Sequence, residues 1–150
     1  MEIKLFKKIL NEALLSKGFL KKGSYYYREG IDCICVVGIQ KSNFSTGYYI
    51  NVGFVLKGLH EISDRLKDTD GDIRARLTHI SEGKKVNFFD LEKLTDSDER
   101  VVKESVLQDV NEVIEVALKP GGIKVLLKER PALLYQTTVS AKEFLGLDIS

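Results

Sequence analysis

The sequence predicts an α+β fold in a single domain spanning residues 1–150: an N-terminal helix, a four-stranded antiparallel β-meander, and C-terminal helices packing on the sheet. Three observations lead there. Residues 2–17 repeat apolar side chains at helical spacing. Between Ser24 and Ile80 four runs read as strands separated by turn residues. From Asp96 to Ala117 the apolar period is again that of a helix. A chain of 150 residues fits one domain, and at that length folding removes roughly 70% of the unfolded surface from water, enough for a core without staples. With 43% hydrophobic and 30% charged residues the composition is that of a globular protein, which excludes a disordered chain.

In the first helix Ile3, Phe6, Leu10, Ala13 and Leu14 share one stripe, while Lys4, Lys7, Lys8, Asn11 and Glu12 lie mostly off it. Gly18 follows at the position where a left-handed backbone ends a helix, and Phe19 can fold back onto the last turn. Tyr25 to Arg28 reads as a short aromatic strand, with Glu29-Gly30 or Gly30-Ile31 as the turn. Asp32 to Lys41 is apolar on both faces, which predicts a central strand covered on both sides. After the polar loop Ser42 to Gly47, Tyr48 to Lys57 alternates cleanly, Tyr48, Ile50, Val52, Phe54 and Leu56 to one side. The link Gly58 to Gly71 places Leu59, Ile62 and Leu66 at roughly helical spacing, which suggests a short helix. A fourth strand fits Asp72 to Ile80, with Ile73, Ala75 and Leu77 inward and Arg74, Arg76 and Thr78 outward.

Asn87 to Leu94 reads as a short helical or irregular cover. Asp96 and Glu99 then stand in capping-box relation ahead of the stripe Val102, Val106, Val110, Val113 and Ala117. Lys119-Pro120-Gly121-Gly122 ends that helix. Ile123 to Lys128 fits a helix or a strand equally, and Pro131 breaks it. Ser140, Glu143 and Gly146 signal a last small helix. There is no internal repeat, low-complexity tract or linker.

A net charge of +1 argues against bulk nucleic acid or an anionic membrane as the main partner. The stretch MEIKLFKKILNEALL carries charges at every turn and lacks the apolar run of a signal peptide, and no run is long and apolar enough to span a membrane. With two cysteines, two residues apart, nothing resembles a secreted disulfide framework, so a reducing cytoplasm is the expected location.

Charge is unevenly spread. Residues 90–117 hold nine acids, among them Asp109, Glu112 and Glu115, against Lys93, Arg100 and Lys103. Such a segment is either a solvated helix surface or an acidic face that docks a basic partner. Arg74 and Arg76 share one strand face and could hold a phosphate or carboxylate, or simply form surface ion pairs. Lys21-Lys22, the Tyr25–Tyr27 run and Tyr48-Tyr49 interleave basic and aromatic residues as single-strand stacking platforms do, although alternation commits several of those rings to the core.

Cys33 and Cys35 with His60 and His79 could suggest a metal site. Strand thiols two apart lie about 7 Å from each other, however, too far for a disulfide, and zinc usually takes C-x₂-C, so no metal or other cofactor is expected. No nucleophile-elbow, phosphate-loop, dinucleotide or zinc-protease motif occurs, and two histidines are a thin supply of general bases. A non-enzymatic protein is the expectation.

The order of these signals resembles the DUF4304 family of small bacterial proteins, a domain of unknown function. The likeness rests on Lys17-Gly18-Phe19-Leu20-Lys21-Lys22, Tyr27-Arg28, Val36-Val37-Gly38-Ile39-Gln40-Lys41-Ser42, Tyr48-Tyr49-Ile50-Asn51-Val52-Gly53 and Ile73-Arg74-Ala75-Arg76-Leu77. It covers about the first half of the chain and implies a fold, not a mechanism. Gln40 and Asn51 belong on adjacent strands, their amides able to pair with backbone or with a ligand. The functional expectation is a protein-binding module, of the immunity type that neutralises a toxin, acting through an acidic helical face at Asp109, Glu112 and Glu115. Its alternative is a nucleic-acid or nucleotide/anion binder using Arg74, Arg76 and the Lys/Tyr-rich strands.

Overall fold

Helix α1 spans Ile3–Ser16 in the computed structural model, which describes residues 1–63 and 65–148. It buries Phe6, Ile9, Leu10, Ala13 and Leu14 along one stripe. Gly18 adopts the left-handed φ of 82°, and Phe19 N–H returns to Leu14 O at 3.2 Å, burying the Phe19 ring as the sequence predicts.

The sheet follows. Strands β1 (Leu20–Lys22), β2 (Tyr25–Glu29), β3 (Cys33–Lys41), β4 (Gly47–Leu56) and β5 (Ile73–Arg76) lie side by side in chain order, every pair antiparallel. The strand period of two turns Cys33, Cys35, Val37, Ile50, Val52, Phe54, Leu56 and Ile73 into the main core, which they share with α1 and the C-terminal helices. Burial of each such large apolar side chain contributes about 2 kcal/mol. On the opposite face Ile34, Val36 and Val55 form a second, smaller cluster with Tyr25, Tyr27 and Leu66. The central strand is therefore covered on both sides, as its unbroken apolar run predicts.

The expected antiparallel meander is present, and the details add to it or correct it. Two further strands join the sheet: β1 precedes the aromatic strand as an exposed edge, and Asn87 to Leu94, expected as a helical or irregular cover, contributes a short strand. The run Asp72 to Ile80 is not continuous. After Leu77, whose N–H still donates to Ile50 O at 2.9 Å, the Thr78 N–H turns to the Asp109 carboxylate at 2.5 Å, and the chain leaves the ladder. A separate hairpin follows, β6 (His79–Ser81) against β7 (Lys84–Val86), and then β8 (Phe89–Asp90), which pairs with the start of β4.

Among the described residues of the link Gly58 to Gly71 there is no α-helix, and the one helical turn is the 3-10 turn Asp68–Asp70, pinned where Asp70 accepts from Lys67 N at 2.8 Å. The capping box before the long helix is Thr95 with Asp98, not Asp96 with Glu99, because a 3-10 turn at Asp96–Asp98 precedes it. Helix α2 (Glu99–Asp109) then runs through a π-helical stretch, Val110–Ile114, into α3 (Glu115–Leu118).

Gly121, at φ 66°, opens α4 (Gly122–Glu129), which settles the Ile123 to Lys128 ambiguity in favour of a helix. Pro131–Gln136 forms a 3-10 helix, and α5 (Val139–Phe144) is capped by Thr138 Oγ1 on Ala141 N at 3.2 Å, two residues ahead of the expected Ser140. Among the described residues no helix is long and apolar enough to cross a membrane.

Candidate anion-binding site

Two glycines shape the outer face of the sheet. Gly53 on β4 and Gly38 on β3 leave a hollow into which the Asp68–Asp70 turn descends. A Cβ on Gly53 would come within 2.3 Å of Asp68 O, and one on Gly38 within 2.9 Å of Asp68 Oδ1. The turn thereby walls one side of a cleft of about 550 Å³ at the β5 edge. Gln40, Asn51, Arg74 and Arg76 line it from the sheet, Val113 and Arg130 from the helical layer, and Ala132, Leu133 and Gln136 from the 3-10 helix. Among the described residues its charged lining is three guanidinium groups and the carboxylate of Asp68.

The expected residues Gln40, Asn51, Arg74 and Arg76 are thus brought together. Asn51 Nδ2 donates to Gln40 Oε1 at 2.8 Å, and Asn51 Oδ1 accepts from Arg76 Nε at 3.0 Å. The Arg76 guanidinium lies over the Tyr49 ring, 3.9 Å from its centroid, and that ring in turn packs on Phe88 at 5.2 Å. One amide relay and one aromatic face therefore fix Arg76 while both its Nη groups keep no hydrogen-bond partner among the described residues. A planar fork held this way matches carboxylate or phosphate oxygens without first losing rotamer freedom. Arg74 is tied through Nη2 to Thr69 O, and Arg130 through Nη2 to Glu112 at 3.2 Å.

The acidic face is a different matter. Asp109 is buried, at 4% exposure, and its Oδ2 accepts from both Thr78 N and Thr78 Oγ1 (2.5 and 2.8 Å), with Lys85 Nζ 3.8 Å from Oδ1. Glu112 receives Gln108 Nε2 at 3.0 Å and Arg130; the Gln108 bond first, then Lys85 and Arg130, hold its carboxyl below the usual range. Glu115 accepts both guanidinium nitrogens of Arg28, which lower its carboxyl likewise. All three acids thus have partners within the chain: Asp109 is turned to the β5–β6 junction, while Glu112 stays exposed and Glu115 half-buried on the helix.

Lys21 and Lys22 lie on β1, at the opposite edge of the sheet from Arg74 and Arg76, four strand spacings or about 19 Å away. Tyr26 is buried with its hydroxyl on Asn11 Oδ1 at 2.8 Å, and the Tyr27 hydroxyl donates to Leu66 O. The register nevertheless sets Lys22, Tyr25, Gly38, Asn51 and Arg76 in one row across the sheet, with the Asp68–Asp70 turn lying over it at Gly38.

Cys33 and Cys35 are free and buried on the core face. Burial, then the neighbouring Asp32, pushes the Cys33 thiol up to about 12, and burial raises that of Cys35 as well, so neither is a thiolate at neutral pH. Among the described residues no three His, Cys, Asp or Glu side chains converge as metal ligands. His79 is buried with Nε2 on Phe88 O at 2.7 Å. His60 Nε2 meets the buried Asp72 at 2.6 Å, while Asp72 Oδ2 accepts from Leu56 N at 2.8 Å. This His–Asp pair is legible nowhere in the sequence, and neither member lines the arginine cleft. A second depression of about 500 Å³ holds Arg28, Glu115, Glu29 and Lys57, whose charges pair among themselves.

Sequence reasoning missed Arg130, and it places a turn at Asp68–Gly71 without its role as a wall of the cleft. For Arg130, next to Pro131 in a stretch of undecided structure, no local signal existed. The turn's role had one, because a glycine inside a strand marks close approach of another backbone, and Gly38 and Gly53 are such a pair.

No curated protein and no solved structure matches the chain. A family model described as "Domain of unknown function (DUF4304)" matches residues 10–119, from within α1 through the whole sheet to the end of α3. On that match the chain belongs to the DUF4304 family.

Proposed function

We propose that this chain is a binding module that captures an anionic group in the β5 cleft. The observation that carries the reading is the preorganised Arg76: its Nε is held by Asn51, its guanidinium lies on the Tyr49 ring, and it lines a cleft shared with Arg74 and Arg130. Arginine forks pair with carboxylate and phosphate through two parallel, charge-assisted hydrogen bonds, stronger than neutral ones. Among the described residues one carboxylate, that of Asp68, lines the same cleft against three guanidinium groups. The second depression supports the reading less, since two of its three cations, Arg28 and Lys57, already have carboxylate partners and Lys119 alone has no ion pair among the described residues.

Calorimetric titration with citrate tests it. Citrate binds the parent protein, affinity falls as salt is raised because the charges are partly screened, and Arg76→Gln weakens binding by about tenfold or more. Binding of equal strength in the Arg76→Gln variant, with its thermal midpoint unchanged, contradicts the reading.

A further inference from the structure

β5 ends the sheet. On its free side the described residues form one β-bridge, Ile73↔Thr137, backed by Thr138 N–H on Asp72 O at 2.9 Å. The Pro131–Gln136 helix lies alongside β5, and its Ala132, Leu133 and Gln136 line the cleft together with Arg74, Ala75 and Arg76. The direction of the exposed backbone follows from the register. Val52 pairs with Ala75, Asn51 with Arg76, and Leu77 N–H donates to Ile50 O. Ladder bonds in an antiparallel pair fall on alternate residues. Ala75 and Leu77 therefore bond to β4, and the peptide N–H and C=O groups of Arg74 and Arg76 point to the free side.

The cleft's two walls differ in chemistry. Above the strand, on the sheet's outer face, stand the side chains of Arg74 and Arg76; on the side of Ala75 the lining is Val52, Val113, Ala132 and Leu133. An extended chain lying along β5 presents alternate residues to those two sides.

We propose that the free edge of β5 accepts an added antiparallel strand from a partner protein, an extended segment alternating acidic and apolar residues. The acids at every second position meet Arg74 and Arg76, and the apolar residues between them cover Val113 and Leu133. Strand residues two apart are separated by about 6.8 Å, the same in the host and in the added strand, so both acids meet a guanidinium in one register. Main-chain bonds supply affinity and the alternating walls supply selectivity, as in strand addition generally. Arg130, at the far wall, adds a third cation for an acid or a chain carboxylate. This inference rests on the anion reading and narrows it to a protein partner.

The test uses the full chain and a capped peptide alternating glutamate with valine, followed by fluorescence anisotropy of a labelled copy. Controls are the same composition with all glutamates grouped together, versions N-methylated either at the glutamate amides or at the valine amides, and free citrate. In an antiparallel addition the residue opposite Arg76 exchanges both its main-chain bonds with it, so the glutamate amides face β5. The alternating peptide binds about tenfold tighter than the grouped one, and methylation at glutamate weakens it by about tenfold or more. Methylation at valine leaves affinity unchanged. If citrate binds and responds to Arg76→Gln, yet the alternating and grouped peptides bind alike or methylation at glutamate has no effect, strand addition is overturned and the anion cleft stands. If neither citrate nor peptide binds, both readings fall.

Discussion

Asp109 carries its charge inward, which changes what a mutation there reads out. Its Oδ2 is the acceptor for two donors of Thr78, so Asp109→Ala leaves a backbone N–H and a hydroxyl without that partner. The expected loss is about 2 kcal/mol in a urea melt, whereas Asp109→Asn, which keeps an acceptor oxygen, loses clearly less. Equal losses would mean that charge, not hydrogen bonding, holds the β5–β6 junction. Glu115 gives a pH dependence. Arg28 depresses its carboxyl below the ordinary 4.5, so in the folded chain the ionised form is favoured. The stabilisation is complete above the ordinary value and is lost as pH falls through the depressed one. Glu115→Gln is therefore less stable than the parent near neutral pH, and the difference shrinks as pH drops well below 4.5. Urea midpoints of both proteins across that range check it, and a gap that stays constant or widens contradicts the pairing.

At the scale of elements, the Asp68–Asp70 turn and the two glycines beneath it form one unit. Gly53→Ala sets a methyl against the Asp68 carbonyl, a backbone atom that cannot swing aside as a side chain would. The variant is expected to lose about 2 kcal/mol of stability through overpacking. It should also weaken citrate binding, because the displaced turn carries Thr69, whose carbonyl holds Arg74. Thermal melts and calorimetry read the two effects, and an unchanged melting point would mean that the turn does not rest on the sheet. Elements with a strong local period were legible in the sequence: α1 with its glycine stop, the alternation of β4, the two-sided burial of β3, and the valine stripe of α2. Those decided by distant partners were not. Nothing near Thr78 says that an aspartate thirty-one residues later will take its N–H, so the break after β5 could not be read locally. Asp109 falls on the helical stripe of Val102 and Val106, so its inward position follows the period, whereas its partner Thr78 does not.

For the whole molecule, the antiparallel sheet between a first helix and a helical C-terminal half followed from patterning alone, since each strand states its own buried face. The site followed only in part. Gln40, Asn51, Arg74 and Arg76 converge because adjacent strands put neighbouring registers together, and strand neighbours can be inferred from chain order in a meander. Arg130 depends on how the helices return to the sheet, which no local signal encodes; hence the cleft's third cation was missed. Sheet order also separates the Lys21-Lys22 edge from the arginine edge, making the β1 side a built-in control. The most direct measurement is an NMR titration of the arginine side-chain Nε–Hε resonances with citrate, alongside the backbone amides. The account predicts that Arg74, Arg76 and Arg130 shift together along one saturable curve while the amides of Lys21 and Lys22 stay still. Shifts centred on the β1 edge, or on Arg28 beside Glu115, would contradict it.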